Sequence, residues 1–138
     1  CMCVVAGTGT PMTNMFDTKL SKPMRIVCVY RPPDYCADDN VLLFSALKHL
    51  ADNSARICFL GDFNLPDFNW IHHVYPDNVL YNATADFICN QGLSQIVMQT
   101  TRGDSILDLV LTSDPICCDS VQYIAPLANS VLLHGSSL

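Results

Sequence analysis

The 138 residues contain no glutamate; all thirteen acidic positions are aspartate. A site that calls for a Glu ligand therefore cannot be completed from this chain. Basic residues are scarce too. Lys and Arg total seven, with no cluster, and the formal net charge is -6. That excludes a general nucleic-acid-binding surface and restricts any phosphate contact to a local or metal-mediated one. Charged residues make up only 14 %, half of the chain is hydrophobic, and the mean hydropathy is +0.26. These values exclude an intrinsically disordered chain and give ample material for one compact α/β domain. No apolar run approaches the roughly 20 residues that a bilayer span requires, and no signal peptide is visible. The first residue is Cys rather than Met, as expected of a piece of something longer.

CxxC spacing is also missing, although there are eight cysteines. Cys28, Cys58 and Cys89 sit inside apolar runs, where a thiol packs as a small hydrophobe, so structural thiols in a reducing compartment are expected rather than a disulfide framework or a zinc site. Asn82-Ala83-Thr84 matches the glycosylation sequon and, without a secretory signal, is read as chance.

Residues 1–24 have no clean period and read as irregular or edge structure. "RIVCVY", Arg25 to Tyr30, reads as a buried strand stopped by Pro32-Pro33. A helix follows, with Asp39 or Asn40 as its N-cap. Leu43, Phe44, Leu47, Leu50 and Ala51 form one face, and Lys48 and Asp52 point outward. "ARICFLGD", Ala55 to Asp62, is a second buried strand. Strand, helix, strand in that order predicts a parallel crossover that places Tyr30 and Asp62 at the carboxyl edge of the sheet, where ligands bind in open α/β folds. Residues 65–78 read as a loop. A second helix spans about Val79 to Asn90, with Leu80, Tyr81, Thr84, Phe87 and Ile88 inward and Gly92 as its stop. Further strands are expected at Leu93–Val97, Ser105–Thr112, Ser120–Leu127 and Val131–His134, the first two separated by a polar turn containing Arg102-Gly103-Asp104.

The stretch "FLGDFNLPDFNW" carries three potential oxygen ligands, Asp62, Asn64 and Asp67, out of an apolar strand. Asp108 lies inside "ILDLVL", where a buried carboxylate costs several kcal/mol unless it is paired or functional. A solvated strand face is the plain alternative for Asp108, and a turn-forming role the plain alternative for Asp62. His72 and His73 are adjacent and, if extended, face opposite ways, which argues against a metal pair.

Taken together, "VCVYRPP" (Val27 to Pro33), "LGDFNLP" (Leu60 to Pro66) and "SILDLVLTSDP" (Ser105 to Pro115) resemble the endonuclease/exonuclease/phosphatase superfamily, and more narrowly the endonuclease domain of non-LTR, LINE-type retrotransposons. "LTS" and "LANS" are also in keeping. The likeness covers about residues 25–130 of a single, partial domain. It implies an α/β fold, part of a four-layer sandwich of helices flanking β-sheets, that hydrolyses phosphodiesters with Mg²⁺. It also implies DNA as partner, a reverse transcriptase domain in a longer parent and, from the likeness alone, a nuclear location. By the same likeness Asp62 orients or deprotonates the attacking water, and Asn64 positions that water and the phosphate. Tyr30 hydrogen-bonds the scissile phosphate, and Asp108 orients a catalytic histidine. A base and fixed donors beside a cation are what in-line attack on an anionic phosphodiester requires.

The family's amino-terminal Asn, its metal-binding Glu and the closing Ser-Asp-His are missing: "LANS" ends at Ser130 and is followed by Val131, and His134 lies four residues after Ser130 instead of two. No metal ligand is assigned for that reason. The sequence supports two functions, a phosphodiesterase whose activity needs residues this chain lacks, and a non-catalytic remnant whose exposed sheet edge and face serve association. A cysteine-rich metal-binding module ranks far behind both.

Overall fold

The computed structural model describes residues 3–9 and 22–117. In chain order these form β1 (Cys3–Gly9), β2 (Met24–Tyr30), α1 (Ala37–Asp52), β3 (Arg56–Asp62), α2 (Val79–Asn90), β4 (Ser94–Gln95), β5 (Asp108–Thr112) and a short 3₁₀ turn at Pro115–Cys117. The strands make one five-stranded mixed sheet in the order β1-β2-β3-β5-β4. β2 and β3 are parallel, as the crossover through α1 requires, and the other pairings are antiparallel. Of the irregular or edge structure expected over residues 1–24, residues 3–9 form an edge strand, β1. The strands expected at Ser120–Leu127 and Val131–His134 lie outside the described residues.

Register fixes which face each residue takes. Val27 is opposite Phe59, and Phe59 opposite Leu111. Those side chains, with Val29, Ile57 and Leu109, point to one face and are buried there. α1 and α2 cover that face, Leu43 and Leu47 being fully buried in the same cluster. The Phe87 ring lies 5.7 Å from Phe44 and 5.6 Å from Phe59, so one aromatic ring joins both helices to the sheet. Among the described residues, then, one mixed sheet carries helices on one face, an α/β arrangement.

β2 is consequently half-buried, not fully buried. Ile26, Cys28 and Tyr30 alternate onto the face away from the helices and are exposed there. Only one of the three thiols expected to be buried is: Cys58 is, whereas Cys28 and Cys89 are exposed. Cys89 falls on the side of α2 opposite the inward Tyr81, Thr84 and Phe87.

α1 begins earlier than expected. Its N-cap is Cys36 rather than Asp39 or Asn40, and the Sγ of Cys36 accepts the Asp39 amide at 3.4 Å. Asp38 and Asp39 instead fill the first turn, where carboxylates complement the helix dipole. Lys48 and Asp52 do point outward, as an exposed pair one turn apart.

α2 is capped at both ends. Asn78 Oδ1 accepts the Tyr81 amide at 3.1 Å. At the other end Gly92, at φ +60, donates to Cys89 O at 3.1 Å while Leu93 donates to Ile88 O at 2.9 Å, the two bonds of a Schellman stop. Asn78→Ala is expected to cost about 1 kcal/mol and Asn78→Asp almost nothing, read from urea midpoints. Equal stability of Asn78→Ala and the wild type would show that the cap is idle.

The 63–78 segment is a loop, yet it carries core. Phe63, Leu65, Phe68 and Trp70 are buried, with the Phe68 ring stacked 3.8 Å from Trp70 and 4.7 Å from Tyr75. The last two strands are shorter than expected. β4 holds only Ser94–Gln95, and β5 starts at Asp108 because residues 102–105 close a tight turn first. Among the described residues no helix is long and apolar enough to cross a membrane.

Candidate functional site

Tyr30 is the pairing partner of Asp62, and Asp62 that of Asp108. Residues opposite one another share a face, so the three side chains form a row across β2, β3 and β5 on the face away from the helices. Tyr30 and Asp108 are exposed, and the Asp62 side chain is 15 % exposed. Of the two readings of Asp108, the solvated strand face is the one observed: alternation turns Leu109 and Leu111 inward and leaves the carboxylate outward. The carboxyl-edge placement of Tyr30 and Asp62 holds.

Asn64 joins the row through backbone geometry. Its φ of 49° is left-handed, a conformation Asn tolerates. Its amide donates to Asp62 Oδ1 at 3.0 Å, and its Nδ2 donates to Arg31 O at 2.7 Å. The Arg31 amide in turn donates to Asp62 O at 2.8 Å.

Two neighbouring groups were not singled out in the sequence. Arg31 is only 2 % exposed and sits beneath this loop. Its Nη1 donates to Phe63 O at 3.3 Å and Asn64 O at 3.1 Å, and its Nε to Asn40 Oδ1 at 2.7 Å. Burial pulls its pKa below the ordinary value, opposed by Tyr81 and Tyr35. Nothing in its place before Pro32-Pro33 signals this role; only the convergence of residues 31, 40, 63 and 64 reveals it. The other group is the 101–105 turn. Thr101 Oγ1 accepts the amides of Leu107 at 2.9 Å and Asp108 at 3.1 Å, and the Arg102 Nη2 donates to Asp62 Oδ2 at 3.3 Å.

Asp67 is not part of the row. Its carboxylate accepts from the Tyr81 hydroxyl at 3.4 Å, and burial holds that hydroxyl above its ordinary pKa, keeping it a donor. His72 and His73 are exposed in the 69–74 turn, whose Asn69 Oδ1 accepts the amides of Ile71 at 3.1 Å and His72 at 3.0 Å. A groove of about 780 Å³ runs between α1 and α2, lined by Arg31, Phe44, Val79 and Phe87 among others, on the helix side of the sheet and away from the row.

Mg²⁺ is held by one or two carboxylates and several waters in near-octahedral geometry. Among the described residues no group of three or more His, Cys or Asp side chains could hold a metal ion. Both Asp62 oxygens are already engaged, one by the Asn64 amide and one by Arg102. Among the described residues the row offers an ion the carboxylates of Asp62 and Asp108 and no third acidic, His or Cys ligand beside them. What the row can do by itself is accept a proton at Asp62, donate from the Tyr30 hydroxyl and fix an amide at Asn64.

No curated protein matches the chain. The family model for "Endonuclease-reverse transcriptase" matches residues 24–130, which holds the sheet from β2 onward, both helices and every residue of the row. The chain belongs to the endonuclease-reverse transcriptase family, a LINE-like domain of the endonuclease/exonuclease/phosphatase type.

Proposed function

We propose that Tyr30, Asp62, Asn64 and Asp108 are the portion of a DNA phosphodiesterase site that this chain carries. Asp62 takes the proton of the attacking water, Asn64 holds that water and the phosphate, the Tyr30 hydroxyl donates to a phosphate oxygen, and Asp108 orients a histidine. The observation that carries this is the alignment of Tyr30, Asp62 and Asp108 as successive pairing partners on one sheet face. Chance would scatter one phenol and two carboxylates over two faces and several levels. The parent is a nuclear retrotransposon protein with a reverse transcriptase domain, and DNA is the substrate.

Mg²⁺ belongs to this proposal through the family, and no step above runs through it. Without a Glu anywhere in the sequence, the 138 residues are an incomplete site. Supercoiled plasmid incubated with the chain and Mg²⁺ is therefore expected to stay supercoiled, as it does with EDTA and with Asp62→Ala, while duplex DNA still binds. Nicking that requires both Mg²⁺ and Asp62 would overturn the incompleteness. A folded chain that binds no DNA at low salt would overturn the phosphodiester role itself.

A further inference from the structure

The row places two carboxylates face to face. Phe63 donates to Leu107 O at 2.9 Å, so 63 and 107 are a hydrogen-bonded pair, and the next pair along, Asp62 with Asp108, is of the non-hydrogen-bonded kind. In such pairs the Cα atoms approach to about 4.5 Å, and like charges there are destabilising. Arg102 answers that repulsion through its contact with Asp62.

The turn presenting Arg102 is fixed. Arg102 and Ser105 exchange backbone bonds of 3.1 and 3.0 Å, and Ser105 Oγ donates to Pro66 O at 3.1 Å. Thr101 Oγ1 ties the same turn to the start of β5. The Arg102 side chain is nevertheless 63 % exposed. It is thus an exposed guanidinium on an anchored backbone.

Other cations among the described residues are spent or remote. Lys48 pairs with Asp52, Arg56 with Asp114, and Arg31 is buried against carbonyls. Lys22 and Arg25 lie at the opposite end of β2 from Tyr30. Among the described residues, Arg102 is therefore the cation that a phosphate arriving at this row of a chain of net charge -6 would meet.

We propose that Arg102 is a phosphate-binding residue of this site, held by Asp62 in the free protein and passed to a backbone phosphate of DNA on binding. The inference rests on the phosphodiester role proposed above. Guanidinium groups recognise carboxylate and phosphate through the same fork of donors, and an exposed ion pair of this length is weak, so the exchange is readily made. Asp62 is released as its partner leaves, which frees the carboxylate when substrate is present.

The test is fluorescence anisotropy of a labelled DNA duplex in EDTA, titrated across salt, with each variant's fold verified by circular dichroism. Arg102→Ala is expected to weaken binding roughly 5- to 10-fold, irrespective of DNA sequence, and to lower the salt slope by about 1. Arg102→Lys keeps the slope. Asp62→Asn retains an acceptor for the Asn64 amide but releases Arg102, and binds DNA several-fold more tightly than the wild type. Unchanged affinity and slope in Arg102→Ala overturn the inference while leaving the phosphodiester role in place. Weaker binding by Asp62→Asn overturns the exchange. Absence of binding by the wild type removes both proposals together.

Discussion

Gly61→Ala is expected to destabilise the fold by roughly 4 kcal/mol. A Cβ built at Gly61 would lie 1.9 Å from Val29 O and 2.9 Å from Val29 C, both backbone atoms of the neighbouring strand. Neither can move without breaking the β2–β3 ladder that also sets Tyr30 opposite Asp62. The φ of +137° adds strain for any residue with a side chain. Overpacking costs about 1–3 kcal/mol and a forbidden backbone conformation about 1–3 more, roughly 4 kcal/mol together against a total stability of about 5–15. Urea unfolding followed by circular dichroism reads the loss, with Gly92→Ala as the comparison. Gly92 is also left-handed, but a Cβ there meets nothing within 4 Å, so that change should cost only about 1 kcal/mol. If the two variants unfold at the same urea concentration, the close approach at Gly61 is not real.

Arg31→Leu should be nearly as damaging, for a different reason. Leu fills the space but abandons Phe63 O, a buried acceptor, along with Asn64 O and Asn40 Oδ1. A buried carbonyl left unpaired costs about 1–3 kcal/mol, and the two partly buried acceptors add to it, giving roughly 3 kcal/mol. Arg31→Lys is the informative companion. It keeps the positive charge but offers a single ammonium in place of a planar fork, so it cannot serve acceptors on both α1 and the 63–64 loop. The urea midpoint of Arg31→Lys should sit close to that of Arg31→Leu. A midpoint equal to the wild type would show that charge, and not the fork, supports the loop.

Periodicity is what made much of the fold legible. The spacing of Leu43, Phe44, Leu47 and Ala51 gives the buried face of α1, that of Tyr81, Thr84 and Phe87 gives α2, and strand, helix, strand gives the parallel crossover that aligns Tyr30 with Asp62. Those signals are local. Half-burial of β2 is not local, because it depends on which sheet face the helices cover, and so an apolar run does not reveal that Cys28 lies outside. The cap at Cys36 is not legible in the sequence because a thiol is a weak acceptor and two better capping residues stand just after it. In the site itself, the acids and Asn64 stand out because Asp and Asn are conspicuous beside apolar strands. Arg31 and Arg102 do not, since their partners are 32, 33 and 40 residues away, and nothing in the spacing of a polar turn says which carboxylate it will meet.

The pairing of β3 with β5 has a consequence for how such a site can be lost. Side chains alternate strictly along a strand, so sliding β5 by one residue would turn Asp108 toward the helices and Leu109 toward Asp62. What forbids the slide is the burial of Leu109 and Leu111, 1 % and 0 % exposed, neither of which takes part in any chemistry. Two leucines therefore act as the aiming device for a carboxylate. Weakening their grip would misdirect the acid while leaving every polar residue of the row in the sequence.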